Sequence, residues 1–244
     1  MRAAAVTSAL VLAITLGGCS GDVVPSQEAT PSPSEEPAPS DEPTPSVEPS
    51  AAPVAPVAAP IVTTIAPEVM LPGEAFGAAA ADPVEITEGV EMWMLPEGCP
   101  AGAPTAAVSS RMVSVGDGMY EARVGVQQLA VFADAEAATV EAQRLHDAAA
   151  ACAGTAGQSQ VYVVEDVAVG AQGTGVAYDY YGTSATGTLD EAQGYYVVAT
   201  RRANAVTIVG YYGGEDTIGS SRENAVATSQ AAWELLCSYD SAGC

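Results

Sequence analysis

Between Asp22 and Pro60 the chain carries 11 prolines and seven carboxylates, with no basic and no aromatic side chain. Such a stretch has too little apolar surface to offset its conformational entropy, so it is expected to stay disordered. Proline biases it toward polyproline II, which at about 3.1 Å per residue gives a reach of roughly 120 Å, and carboxylate repulsion favours extension. Pro-x-x-Pro spacings such as Pro53 to Pro56 also fit docking by a proline-recognising domain, but a spacer is the better reading because such readers are mostly intracellular. Folding is thereby left to what flanks the spacer: a short apolar N-terminus and residues 61–244.

The N-terminus runs Met1-Arg2 and then apolar from Ala3 to Leu16, broken only by Thr7, Ser8 and Thr15. As a helix this run spans about 21 Å, short of the roughly 30 Å hydrocarbon core, so residues 1–18 read as a cleaved leader and not as a membrane span. Leu16-Gly17-Gly18-Cys19 resembles a bacterial lipobox. Small residues let the backbone enter a peptidase cleft, and only a thiol can form the thioether to diacylglycerol. Cys19 is therefore the expected lipidation site and mature N-terminus of a palmitate-type lipoprotein. Two acyl chains on one residue satisfy the requirement for stable anchoring. Residues 19–60 become a lipidated tether, and the expected location is the outer face of the cytoplasmic membrane, in the cell envelope.

Charge excludes some partners. The formal net charge is −23, from 30 acidic and 7 basic residues, and every basic residue is arginine. Nucleic acid is excluded, and anionic headgroups would repel the chain. Residues 61–244 hold 23 acidic and 6 basic side chains, net −17. That length supports one core, and no repeat marks a solenoid.

With Cys19 assigned to lipid, Cys99, Cys152, Cys237 and Cys244 remain. An even number in an exported domain predicts two disulfides, and four cysteines permit three connectivities. Cys99–Cys152 with Cys237–Cys244 is favoured, because the terminal pair lies close together at a helix end where a loop containing Gly243 can fold back. No Cys-x-x-Cys unit points to zinc.

The patterning predicts a short helix over 71–80 and an irregular connection from Pro83 to Cys99. A strand over 121–132 puts Val124, Val126, Ala130 and Phe132 on one face and Arg123, Gln127 and Leu129 on the other. Asp134 caps a helix to about Ala151 with the stripe Ala135, Ala138, Ala142, Leu145, Ala149 and Cys152. Four strands follow near 160–167, 174–182, 194–201 and 205–212, the last two forming a hairpin about Arg202-Ala203-Asn204. Ser220-x-x-Glu223 has capping-box spacing for a final helix in which Val226, Ser229, Trp233 and Leu236 fall on one face. The expected class is α+β: a twisted antiparallel sheet of about five strands with helices packed on one face.

Met70-Leu71-Pro72-Gly73-Glu74-Ala75-Phe76-Gly77, Glu97-Gly98-Cys99-Pro100, Phe132-Ala133-Asp134-Ala135 and its alanine-rich helix to Cys152, and Arg201-Arg202-Ala203-Asn204-Ala205-Val206 resemble landmarks of the PknH-like extracellular sensor domain of actinobacterial kinases and lipoproteins. The resemblance spans nearly all of 61–244. It implies a twisted antiparallel sheet with helices, a cleft for an unknown ligand, and two disulfides, one joining positions like Cys99 and Cys152. Cys237 and Cys244 depart from the kinase member's pattern. The chain holds no kinase domain, so phosphorylation does not carry over.

Chemistry-bearing constellations are sparse. His146 is the one histidine, lies in a helix beside Asp147, and has no Gly-x-Ser-x-Gly partner motif. Glu165, Asp166, Asp179 and Glu215-Asp216 read as solvated charge, and Gly116-Asp117-Gly118 and Gly213-Gly214-Glu215-Asp216 do not match an EF-hand. No metal, cofactor or enzymatic activity is expected. Tyrosine is more informative: eight of ten lie between 162 and 212, against two phenylalanines in the whole chain. Adjacent pairs put one ring on each face, so Tyr181, Tyr195 or Tyr196, and Tyr211 or Tyr212 should line the face without helices or a cleft mouth. Tyr180, Tyr196 and Tyr212 are the candidate ligand-binding residues. The competing reading is that tyrosine simply suits a half-wet strand.

The expected function is a monomeric, lipid-anchored, non-enzymatic domain binding a small-molecule or cell-wall ligand. The alternative is a structural lipoprotein whose acidic surface docks a basic exported protein.

Overall fold

A computed structural model describes residues 60–77, 82–119, 122–154 and 160–243. The expected leader over 1–18, lipidated Cys19, nearly all of the 19–60 tether, and Cys244 with its bridge to Cys237 lie outside those residues.

Seven strands form one antiparallel sheet: β1 (Val84–Glu88), β2 (Ser109–Val115), β3 (Val124–Val131), β4 (Val161–Asp166), β5 (Ala171–Asp179), β6 (Gly194–Arg202) and β7 (Ala205–Tyr212), in the spatial order β1-β2-β3-β7-β6-β5-β4. Two meanders, β1-β2-β3 and β4-β5-β6-β7, meet where β3 pairs with β7. Between them α1 (Ala135–Cys152) carries the chain to the far edge, and α2 (Ile218–Leu235) follows β7. The fold class is α+β as expected, but the sheet has seven strands and not about five. β1 lies in the stretch expected to be irregular, β2 lies beyond it where the patterning predicts no strand, and the described part of the helix expected over 71–80 holds a one-turn 3₁₀ helix, Gly73–Phe76, preceded by another at Pro67–Val69.

The two additional strands escape the sequence pattern for a physical reason. β2, Ser-Ser-Arg-Met-Val-Ser-Val, has too polar an alternation to announce itself, yet it pairs with β3 over seven positions from Ser109↔Val131 to Val115↔Gly125. β1 pairs only with β2 and is mostly exposed, so its acidic composition costs nothing in burial.

The helices do not share a face, contrary to the expectation. Ala138, Ala142, Leu145 and Ala149 of α1 pack with Ala130, Phe132, Tyr178, Tyr195, Val197 and Ile208. Ile218, Ala225 and Ala232 of α2 pack with Leu129, Val131, Tyr196, Val198, Val209 and Tyr211. Residues of opposite parity on the same strands thus enter two cores, and the sheet is covered on both sides. The near-continuous apolar runs of β6 and β7 follow from that double burial.

The helix ends obey local chemistry. Asp134 accepts from Ala137 N at 2.8 Å, as the cap of α1. For α2 the cap is Thr217, which accepts from Ser220 N, and not Ser220 itself. The expected face is shifted accordingly: Ser229 and Leu236 are buried, but Val226 and Trp233 only partly so. Each face is completed by an irregular segment, residues 60–77 beside α2 and residues 90–101 beside α1.

Candidate functional site

On the α1 face a row of tyrosines crosses four strands. Tyr162 of β4 lies opposite Tyr178 of β5, and Tyr178 opposite Tyr195 of β6. Tyr195 in turn meets Tyr212 of β7. Successive ring centroids are 4.9, 5.2 and 5.1 Å apart, the first pair stacked and the others tilted or edge-on. Tyr180 joins at the rim, 5.4 Å from Tyr178 and 5.8 Å from Tyr195. Cross-strand aromatic pairs each stabilise a sheet by up to about 1 kcal/mol.

The 90–101 segment lies over this row and is fastened at several points. Cys99 is bonded to Cys152 at the end of α1, with 5.4 Å between their Cα atoms. This is the one disulfide among the described residues. The Tyr212 hydroxyl donates to the Met94 carbonyl, and that of Tyr162 to Glu97 O. Gln128, buried in β3, accepts from Met94 N at 2.7 Å and donates Nε2 to Met92 O at 2.9 Å. Trp93, 1% exposed, donates its indole N–H to Glu141 of α1 at 2.7 Å. Arg144 clamps the same carboxylate through Nε at 2.9 Å and donates to the carbonyls of Ala101 and Ala103.

Electrostatics follow from that packing. Burial alone would raise the Glu141 pKa, but hydrogen bonds from Arg144 and Trp93 outweigh it and hold the carboxyl below its ordinary value. Burial, aided by the neighbouring Tyr162, pushes the Tyr178 phenol up to about 12. Burial likewise drives Tyr195 and Tyr212 well above the ordinary value, so these phenols are neutral at physiological pH.

Between the segment and the row opens a cleft of about 450 Å³, walled by Met92–Gly98, Pro100, Tyr195 and Tyr212. This is within the size range of small-molecule sites. Of the sequence candidates, Tyr212 lines it and Tyr180 borders the ring cluster just outside, next to Tyr181. Tyr196 stands on the opposite face, where its hydroxyl donates to Glu165 at 2.6 Å beneath Arg222. The three candidates therefore do not converge, and Tyr195 occupies the place beside Tyr212. Sequence reasoning missed Met92–Leu95. Its signal was an apolar run ending at Glu97-Gly98-Cys99-Pro100, in a region otherwise read as irregular.

The remaining candidates hold structural roles. Asp179, fully buried, accepts from the backbone N–H groups of Tyr181, Gly182 and Ser184 at 3.1, 2.9 and 2.8 Å. Burial would raise its pKa, and those hydrogen bonds lower it instead. Glu165 is paired with Arg222 at 2.8 Å. His146 is half-exposed, 3.4 Å from Asp147. No nucleophile–base pair and no grouping of three metal-type ligands is assembled among the described residues.

No family model matches this chain, and no curated protein matches it. A solved structure that resembles it is the extracellular domain of PknH from Mycobacterium tuberculosis, with a TM-score of 0.51 and 11% sequence identity over 72% of this chain and 98% of that one. At that identity the likeness shows a shared fold.

Proposed function

We propose that this protein is a non-enzymatic ligand-binding lipoprotein, displayed outside the cytoplasmic membrane on a lipid attached to Cys19. The observation that carries the reading is the cleft of about 450 Å³ held open between the 92–100 segment and Tyr195 and Tyr212. A segment fixed to α1 by a disulfide and to the sheet by side-chain hydrogen bonds is a pre-organised wall, and pre-organisation lowers the entropic cost of binding. The fold shared with an extracellular domain supports the placement, as does the Leu16-Gly17-Gly18-Cys19 sequence. Replacing Cys19 with Ala is expected to move the protein from membranes into the medium. Membrane retention of the variant would overturn the anchor.

A second reading rests on the sheet edge. In β1, Val84 and Ile86 are 50% and 62% exposed beside Glu85 and Glu88, an apolar edge framed by carboxylates. A basic exported protein could add a strand there. Capture of that kind should weaken steeply with salt, whereas binding of an uncharged ligand in the cleft should not.

A further inference from the structure

The chemistry of the cleft narrows what it accepts. Many of its polar groups are already committed inside the protein: the Tyr212 hydroxyl to Met94 O, the Trp93 indole to Glu141, the Met94 amide to Gln128, and the Leu95 amide to Trp93 O at 2.9 Å. What remains facing the space, apart from Glu97 at its end, is mostly thioether, prolyl ring, leucine and aromatic ring. A sugar, peptide or phosphate placed there would surrender its hydration without gaining donors or acceptors, at a cost of roughly 1–3 kcal/mol per polar group. An alkyl surface loses nothing by the same transfer. Met92 is 56% exposed at the mouth, an unbranched, polarisable side chain suited to contact with an irregular apolar guest.

Charge limits the other end of the guest. Glu97 is the one ionisable carboxylate on the lining, it is exposed, and residues 61–244 carry net −17. An anionic head would be held beside that carboxylate in an acidic field, and a cationic or uncharged head would not be penalised.

Resting on the reading that this cleft takes a ligand, we propose that the ligand is the hydrocarbon chain of an uncharged or cationic amphiphile, its head group at Glu97. A methylene occupies about the 30 Å³ of a liquid water, so the cleft accommodates a chain on the order of ten to fifteen carbons.

The test uses the secreted Cys19→Ala chain, titrated with butyl-, octyl- and dodecyltrimethylammonium and with dodecanoate, all below micelle formation, while the methionine methyl signals of Met92 and Met94 are followed by NMR. Affinity is expected to rise about fourfold per added methylene. Dodecanoate should bind roughly tenfold more weakly than its cationic counterpart. Met92→Asp changes an exposed residue, so it should keep its melting temperature and lose most of the binding. Glu97→Gln should narrow the gap between cationic and anionic probes. Affinity independent of chain length, or unchanged in Met92→Asp, overturns the proposal. If a cell-wall muropeptide shifts the two methyl signals and the alkyl series does not, the chain chemistry is wrong but the ligand-binding cleft stands. If neither probe shifts them, both fail.

Discussion

The two faces of the sheet are built from the same residue types at adjacent positions, put to different uses. Gln127 and Gln128 are consecutive and buried. Gln127 accepts from Leu71 N at 2.6 Å and so pins the 60–77 segment beside α2, while Gln128 pins 90–101 beside α1 through two hydrogen bonds. Tyr211 shares a hydrogen bond of 2.9 Å with Thr228 of α2, and Tyr212 reaches Met94 on the other side. Tyr196 enters a charged network with Glu165, Arg222 and Asp190, and Tyr195 enters a row of rings. One face carries ion pairs around Tyr196, the other an aromatic floor under a bonded segment that leaves a cleft beside Tyr195 and Tyr212. Burial on both faces makes a strand equally apolar by either parity, and only what is laid over each face separates scaffold from site.

The largest test of that contrast is the bridge. Cys99 and Cys152 are 53 residues apart. In the chain-entropy model a loop of that length is worth about 4 kcal/mol. Cys99→Ala with Cys152→Ala should lower stability to chemical denaturation by about that amount. Amide exchange should show the loss first in residues 92–101, with the segment beside α2 still protected. Uniform loss across both faces would mean that the cleft wall is not a separate unit.

Next in size is Glu141, which is 2% exposed and joins Trp93 of the segment to Arg144. Glu141→Leu takes the acceptor from the buried Trp93 indole and from Arg144, which is 32% exposed, and should cost about 2 kcal/mol. Its pKa is held below the ordinary 4.5, so its stabilising contribution is complete above that value and is lost as pH falls through the lowered folded value. Acid should therefore loosen the α1 face in the native protein, and the acid-dependent part of the melting curve should shrink in the variant. An unchanged acid limb would sink this assignment.

How much of this was legible in the sequence depends on how local its cause is. The capped helix α1, with Asp134 and its alanine stripe, and the hairpin of β6 and β7 around Ala203 arise from contacts within a few residues, and the patterning foretold them. β1 and β2 depend on being paired to β3, so Val-Glu-Ile-Thr-Glu and Ser-Ser-Arg-Met-Val-Ser-Val gave little local sign. The placement of helices on both faces was visible in principle, since Tyr195 to Ala199 is apolar at every position, a run that a one-sided sheet does not require. The candidate site was least legible, because its contacts are the most distant: Tyr212 and Met94 are 118 residues apart, and Tyr162 and Glu97 are 65. Choosing Tyr195 over Tyr196 needed the register. The clue was small residues on β5: a Cβ at Gly175 would lie 1.7 Å from the Tyr196 hydroxyl, so that ring occupies the space which glycine vacates.

The smallest expected effect is the most discriminating, because it removes a single oxygen on each face. Tyr196→Phe leaves Glu165 still paired with Arg222, and Tyr212→Phe leaves the Met94 carbonyl short of its donor, so each should cost about 1 kcal/mol and the two melting temperatures should fall alike. Their local consequences should differ. In Tyr212→Phe the amides of residues 92–98 should exchange faster and alkyl probes should bind with altered affinity, since the wall is released from its floor. In Tyr196→Phe neither should change, because that hydroxyl faces the other core and touches nothing that borders the cleft. Faster exchange of 92–98 in Tyr196→Phe would show the two faces to be energetically coupled through β6. The cleft would then be a property of the whole sheet and not of the segment fastened over one side of it.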